Sequence, residues 1–345
     1  DVYDGVMCLG VCDKIVPGLV IGALQFGHLP VMFVPAGPMP SGIPNKEKAL
    51  ARQKFATGEI DKAELLESES ASYHSAGTCT FYGTANTNQT LMEALGLQLA
   101  GTSFVNPGAL LRTELTRESV RKLLDQTSKG SNYRPLAEVI TEKSMVNAMV
   151  MMMTTGGSTN LTLHLIAMAA AAGIQINWQD FSDLSAVIPL LTKMYPNGSA
   201  DVNYFQAAGG MSYLIKSLLE NGLLHQDVYT ILGHGLNTYT KEPFLNDGEL
   251  IWRDGPEKSL DTKVLTSVEN AFSKTGGVRV LKGNLGTSVI KISAVKEENW
   301  IVEAPAVVFE DQEELLEAFK RKELNKDFIA VVRFQGPKAK GMPEL

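Results

Sequence analysis

The sequence predicts an α/β protein: a layered α/β N-terminal domain followed by the start of a β-rich, barrel-like C-terminal domain. Helical patterns alternate with short apolar strands in the first part of the chain, which is typical of layered α/β domains. After residue 276 the pattern changes to short strands separated by turns. The length of 345 residues is enough for two domains.

The first region, residues 1–275, is expected to form the α/β domain. Apolar runs that end in glycine or proline predict strands, and runs of strong helix formers predict helices. In chain order, the predicted elements are a strand at 29–35, a helical stretch at 46–73 that Gly58 divides in two, a helix at 84–97, and, within 144–178, two helices around a glycine-rich turn followed by a strand at 174–176.

The second region, residues 276–345, is expected to be the beginning of a β-rich domain. It ends at Leu345 on a loop rich in glycine and proline, so the domain is predicted to be truncated. The predicted elements are strands at 278–281, 289–292, 306–309 and 328–332 and one helix at 312–322.

Composition excludes several classes of function. A formal charge of −7 argues against a nucleic-acid partner, whereas an anionic small molecule needs only local positive charge. The apolar stretch 145–172 is interrupted at 154–160, so neither half reaches the ~20 residues of a membrane span. Three cysteines in a chain that shows no signal peptide are typical of reduced thiols or metal ligands. We therefore expect a cytoplasmic protein that binds neither nucleic acid nor membrane.

The first segment with chemical potential places Cys12, Asp13 and Lys14 in direct succession, within 9–18. A thiolate suits iron, and a carboxylate suits a hard cation such as magnesium. The alternative is a buried cysteine beside a surface Asp–Lys pair. Cys8, four residues before Cys12, is interpreted as a core residue.

The second segment, 74–86, places Cys79 among small and hydroxylated residues just before a predicted helix. The free backbone N–H groups and the dipole of a helix N-terminus lower the pKa of a thiol and favour anionic ligands. The alternative is a structural cysteine at a glycine-rich helix entry.

The remaining candidates are weaker. Ser158, Thr159 and Asn160 follow two glycines at a helix start, which fits an anion-binding turn but also an ordinary N-cap. Lys46 is a candidate phosphate contact, although a solvated charge pair is the more common use of such lysines. Glu344 lies on a loop, 336–344, that by itself is typical of a surface turn. The methionines of 145–153 and isolated histidines such as His164 are interpreted as packing residues.

Five segments together resemble the family of dihydroxy-acid and 6-phosphogluconate dehydratases: 12–18, 76–86, 156–160, 282–286 and 336–344. Their order and spacing are specific, and the resemblance runs from about Asp4 to Leu345. Segments 41–48 and 78–83 are similar to the 6-phosphogluconate branch. The resemblance implies a hydro-lyase of the Entner–Doudoroff pathway, which removes water from 6-phospho-D-gluconate to give 2-keto-3-deoxy-6-phosphogluconate.

The resemblance also implies a site. Cys12 and Cys79 would be ligands of a [4Fe–4S] cluster, although two cysteines alone also fit a [2Fe–2S] cluster. Asp13, Lys14 (as a carbamate in some relatives) and Glu344 would hold Mg²⁺ beside it, and Asp13 and Lys14 would be catalytic. Lys14 contacting the substrate directly is the alternative. The resemblance further implies a homodimer and an anionic sugar-acid substrate.

Members of this family are longer at both ends. A third cluster cysteine and another acidic ligand are expected before Asp1, and a serine that acts as the base is expected after Leu345. We therefore expect this chain alone to be inactive and to be part of a longer protein. The alternatives are a dehydratase of another sugar acid or dihydroxy acid, or a non-catalytic iron–sulfur-binding fragment.

Overall fold

The computed structural model describes residues 2–341. The strands are β1 (Val6–Gly10), β2 (Val31–Pro35), β3 (Tyr229–Thr230), β4 (Gly233–His234), β5 (Lys241–Asn246), β6 (Glu249–Asp254), β7 (Arg279–Gly283), β8 (Gly286–Ile290), β9 (Ala306–Phe309) and β10 (Ile329–Val332). The helices are α1 (Ile15–Leu24), α2 (Asn45–Thr57), α3 (Lys62–Ser72), α4 (Thr84–Ala94), α5 (Leu110–Asp125), α6 (Leu136–Val139), α7 (Glu142–Thr155), α8 (Leu161–Ala171), α9 (Trp178–Val187), α10 (Val202–Ala207), α11 (Gly210–Glu220), α12 (Gln312–Lys320) and α13 (Pro337–Lys340).

The chain forms two compact units, Asp1–Ala294 and Val295–Leu345. In the first unit, β7 and β8 form an antiparallel hairpin that contacts α9. In the second unit, β9 and β10 pair in parallel, and α12 connects them. The domain boundary expected near residue 276 stays a prediction.

The segments that contain Cys12 and Gly37 follow the strands β1 and β2. These strands pair in parallel from Val6 opposite Val31 to Gly10 opposite Pro35, with α1 as the crossover between them. Every residue of β2 is buried, as expected for a strand of β-branched and large apolar residues covered on both faces. Because the strands are parallel, the loops that follow both of them leave the sheet at the same edge.

Two central helices, α4 and α7, form much of the core of the first unit. All five methionines of α7 are buried, which confirms their interpretation as packing residues. The helix begins after the capping residue Thr141 and ends at Gly156, whose φ of 58° is left-handed. Helix α4 is unusual because its polar residues are buried together with its apolar ones.

The predicted α/β class is confirmed. Gly58 is the left-handed residue (φ 76°) that ends α2, as expected for the divider of two helices. The strands pair two by two, and no barrel closes among residues 2–341. The strand expected at 174–176 is wrong, because the N–H of Ile174 donates to Ala169 O and closes the last turn of α8. No helix within residues 2–341 has the length and apolar character needed to cross a membrane.

Candidate functional site

Both predicted thiol ligands belong to loops at the carboxyl edge of the β1–β2 sheet. Cys12 follows β1 by two residues and is exposed. Thr78, the neighbour of half-buried Cys79, is tied to the loop after β2: its N–H donates to Gly37 O (2.9 Å), and its carbonyl accepts from Met39 N (3.0 Å). Cys8, inside β1, is buried, as its interpretation as a core residue requires.

Asp13 is the most constrained side chain of the first segment, and only 7% of it is exposed. One carboxylate oxygen accepts from Lys14 Nζ (2.7 Å), and the other lies 3.1 Å from His164 Nε2 on α8. The backbone carbonyl of Asp13 accepts from Asn88 Nδ2 on α4 (2.7 Å). Two helices and a neighbouring lysine therefore fix the direction in which this carboxylate points. The contacts of His164 and Asn88 with Asp13 were not predicted from the sequence.

The backbone around Cys79 is held by one buried amide side chain. Asn86 Nδ2 donates to the carbonyls of Cys79 (2.6 Å) and Phe81 (2.7 Å). The Oδ1 of the same residue accepts from the hydroxyl of Thr78 (2.8 Å). The segment that carries Cys79 is thus ordered from inside the protein, by the first turns of α4, and its thiol side is left half-buried.

The turn at 156–160 meets this segment at the start of α4. The hydroxyls of Ser158 and Thr84 are 2.8 Å apart, and Asn160 Nδ2 donates to the Thr84 hydroxyl (3.1 Å). The N–H of Ser158 donates to the hydroxyl of Thr87 (3.2 Å). Ser158, Thr159 and Asn160 are half-buried. The structure therefore brings this turn and the Cys79 segment together, while anion binding by the turn stays a prediction.

Of the two lysines at the start of α2, it is Lys48 that lies beside Cys79. Its Nζ donates to the hydroxyl of Thr80 (3.3 Å). Burial lowers the pKa of Lys48, and the negative charges of Asp201 and Cys79 partly restore it. Lys46 is exposed, and within residues 2–341 its side chain makes no described polar contact. Helical periodicity could have indicated Lys48, which shares a helix face with buried Asn45 three residues earlier.

The predicted metal ligands do not form a complete metal site among the described residues. Within residues 2–341, no three His, Cys, Asp or Glu side chains are grouped as a metal ion requires. Glu344, a predicted ligand, lies outside the described residues. Cys12, Cys79 and Asp13 therefore stay predicted ligands.

Comparison with known proteins identifies the family. The model for the dihydroxy-acid/6-phosphogluconate dehydratase N-terminal domain matches residues 1–239, and that for the C-terminal domain matches residues 263–345. The chain belongs to the dihydroxy-acid/6-phosphogluconate dehydratase family.

Within this family it is similar to phosphogluconate dehydratases: 61% identical to that of Pseudomonas aeruginosa and 58% to that of Escherichia coli K12, over all 345 residues. It is 34% identical to the dihydroxy-acid dehydratase of Caldanaerobacter subterraneus, over 99% of this chain and 60% of the relative. The chain spans 57% of the length of the first two relatives.

Proposed function

We propose that this chain takes part in the dehydration of 6-phospho-D-gluconate to 2-keto-3-deoxy-6-phosphogluconate. The observation that carries the proposal is the convergence of the Cys12–Lys14 loop, the Cys79 segment and the 156–160 turn around α4. The similarity to phosphogluconate dehydratases, at 58–61% identity, supports this substrate over a dihydroxy acid.

The chemistry of the donors fits the cofactors that the family implies. The thiols of Cys12 and Cys79 are soft ligands suited to iron, and the carboxylate of Asp13 is a hard ligand suited to Mg²⁺. When bound, an iron–sulfur cluster, [4Fe–4S] or alternatively [2Fe–2S], supplies a Lewis acid for the departing hydroxyl. A third thiol ligand, and the carboxylate of Glu344, would have to come from outside residues 2–341.

The residues of this chain orient the reacting groups. The reaction takes a weakly acidic proton from C2, next to the carboxylate, and hydroxide from C3. Positive charge close to the carboxylate stabilises the enolate that forms. In this proposal Asp13, held by His164 and Lys14, helps to hold a divalent cation next to the substrate carboxylate. Lys14 would act either as a carbamate that helps to hold this cation or through direct contact with the substrate.

The polar turn is proposed to bind the substrate. The hydroxyl of Ser158 and the amide of Asn160 lie next to the segment that carries Cys79. Since Thr84 already pairs with both groups, we propose that an anionic sugar acid exchanges with these hydrogen bonds. Thr159 and Lys46 stay predictions as substrate contacts, as do the homodimer and the cytoplasmic location.

The proposal is tested by anaerobic cluster reconstitution, followed by a 2-keto acid assay with 6-phosphogluconate. The assay is applied to this chain and to a protein extended at both ends to the length of its relatives. We expect iron uptake and turnover by the extended protein, and loss of both in Cys12→Ser and in Cys79→Ser. Cys8→Ala is the matched control, because Cys8 is a buried thiol inside β1.

Three other outcomes would contradict the proposal in different ways. Faster turnover of a non-phosphorylated sugar acid or dihydroxy acid would favour that substrate. Iron uptake without any lyase activity in the extended protein would favour a non-catalytic iron–sulfur protein. Equal iron uptake by the Cys12, Cys79 and Cys8 variants would remove the two thiols from the site.

A further inference from the structure

A groove of about 820 Å³ lies on the first unit between α7 and α9. Its apolar lining comes from both helices and from the segment that joins α8 to α9: Met145, Met149, Ile174, Ile176, Leu184 and Val187. The two methionines are buried, whereas Val187 is 66% exposed. Apolar surface that is continuous and open to solvent is typical of a site where another molecule binds. The reaction proposed above assigns this groove no role.

The charged side chains that line the groove are all acidic: Glu142, Asp180 and Asp183. Asp180 accepts from the N–H of Asn177 (2.8 Å) and Asp183 accepts from the side-chain amide of Gln179 (2.7 Å), and these hydrogen bonds leave both carboxylates charged. No ion pair within residues 2–341 involves any of the three carboxylates. The groove therefore favours an apolar segment that carries positive charge.

Two lysines close to the lining residues are engaged with other side chains. Lys143, which follows Glu142 in the sequence, pairs with Asp227. Lys282, on β7, donates to Gln179 Oε1 (3.2 Å). Neither lysine lines the groove, so the lining keeps a net negative charge.

Helix α2 presents positive charge and an apolar side chain on one outer face. Lys46, Leu50 and Lys54 are spaced four residues apart, which places them on the same side of the helix. Leu50 is 47% exposed, and no ion pair among the described residues involves either lysine. Of the thirteen residues of α2, only Asn45 is buried. With four basic residues and one acidic residue, the helix is strongly basic.

The opposite side of α2 packs against α3. There Arg52 pairs with Glu69 (3.5 Å) and donates to the hydroxyl of Tyr73 (3.3 Å). This contact accounts for the inner face of α2 but leaves Leu50, on the other face, exposed. A helix of this length is only marginally stable unless its apolar side chains are packed, so a second contact would stabilise it.

We propose that the outer face of α2 docks into the groove between α7 and α9 of a second copy of this chain, with Leu50 against the apolar lining and the lysines beside the three carboxylates. In a two-fold dimer the contact forms twice, because α2 of each protomer enters the groove of its partner. An amphipathic helix laid in an apolar groove is a recurring mode of recognition, and methionines adapt to the side chains that they meet. The inference locates the contact of the expected homodimer and does not depend on the reaction proposed above.

Sedimentation equilibrium of this chain and of the extended protein tests the apolar part of the contact. We expect Leu50→Asp and Val187→Asp each to raise the dissociation constant of the dimer about 10-fold or more. Both side chains are exposed in one copy, so the substitutions should leave the fold intact, which urea denaturation checks. Leu66→Asp is the matched control: Leu66 is 63% exposed and lies on α3, the other helix of the hairpin, so its dimer should be unchanged.

A charge exchange tests the electrostatic part. Lys46→Glu and Asp183→Lys should each raise the dissociation constant about 3- to 10-fold at low ionic strength, and less at high salt. Asp183 is chosen because Asp180 belongs to the capping box of α9. The protein with both substitutions should recover most of the wild-type affinity, because the two reversed charges meet at each contact of the dimer.

Several results would overturn the inference. They are a wild-type protein that stays monomeric, wild-type dimers in both Leu50→Asp and Val187→Asp, an equal loss in Leu66→Asp, and additive losses in the doubly substituted charge variant. A dimer of the extended protein that does not respond to Val187→Asp would show that another part of the longer protein covers the groove. Dehydratase activity is not part of these measurements, so failure of the proposed function is scored separately.

Discussion

Replacing Gly37 by alanine tests how the edge of the sheet holds the Cys79 segment. Gly37 follows β2 with a left-handed φ of 76°. Its N–H donates to Gln89 Oε1 (2.9 Å), and its carbonyl accepts from Thr78 N (2.9 Å). A Cβ at this position would lie 1.9 Å from the carbonyl oxygen of Val105, far inside van der Waals contact. The alanine must therefore displace one of the two backbones.

The carbonyl of Val105 is not the side that yields. It accepts from both Nη2 (2.7 Å) and Nε (3.2 Å) of buried Arg112, which also donates to Thr102 O (2.6 Å). The displacement should thus fall on Gly37 and on the hydrogen bonds that carry Thr78. A left-handed backbone costs an L-residue about 1–2 kcal/mol, and overpacking adds about 1–3 kcal/mol. We expect Gly37→Ala to lower the free energy of unfolding by about 2–5 kcal/mol.

Gly58 provides the matched control. It has the same φ of 76°, at the end of α2, but a Cβ there would meet nothing within 4 Å. Gly58→Ala should therefore lose only the backbone term, about 1–2 kcal/mol. Urea denaturation of both variants measures the difference, and iron uptake should fall in Gly37→Ala alone. Equal losses of stability in the two variants, with equal iron uptake, would refute the argument from close approach.

Three further predictions follow from buried groups. His164→Phe removes a partner of Asp13, and Mg²⁺ affinity in the extended protein should fall about 10- to 100-fold; an unchanged Mg²⁺ titration would contradict this. Glu93→Gln leaves a buried donor without an acceptor and should lower the free energy of unfolding by about 1–3 kcal/mol, measured in urea; wild-type stability would count against it. Burial raises the pKa of the Cys8 thiol from 9.0 to about 11. The protonated thiol therefore contributes its full stabilisation of the folded state below pH 9, and this contribution is lost as pH rises through 11. Iodoacetamide at pH 8.5, followed by mass spectrometry, should therefore modify exposed Cys12 and spare Cys8; equal labelling would show that Cys8 is accessible.

Local signals were sufficient for parts of the fold. Gly58 divides two helices because a left-handed residue ends a helix, and this depends on nothing beyond its neighbours. The methionines of α7 are buried because the helix after its exposed first residues, Glu142 and Lys143, is apolar enough to be enclosed. At 174–176, by contrast, the alternation of apolar residues indicated a strand, yet the segment only closes α8 and leads into α9. A short apolar run does not specify a strand unless a partner strand is available.

The sequence indicates which segments carry the candidate residues, but not how the side chains of those segments contact one another in the fold. The order and spacing of the motifs indicated Cys12, Asp13 and Cys79, whereas the contact between Asp13 and His164 joins residues 151 positions apart. That contact exists because α8 packs against α1, which no local pattern encodes. The same limit applies to Lys46 and Lys48: both are lysines at a helix start, and only tertiary packing shows that Lys48 lies beside Thr80.

Helix α4 shows why the site needs an interior that is partly polar. The sequence predicts a helix at 84–97, and an ordinary amphipathic helix would turn one face to solvent. Here the other face is also buried, and Asn86 and Asn88 donate to the backbones of both segments that carry the predicted thiol ligands. The cost is visible at Asn88, whose Oδ1 is buried and has no hydrogen-bond partner among the described residues. A leucine at this position would avoid the cost of the unpaired Oδ1 but would also remove the hydrogen bond from Nδ2 to the carbonyl of Asp13, so the polar interior orders the site at the expense of packing.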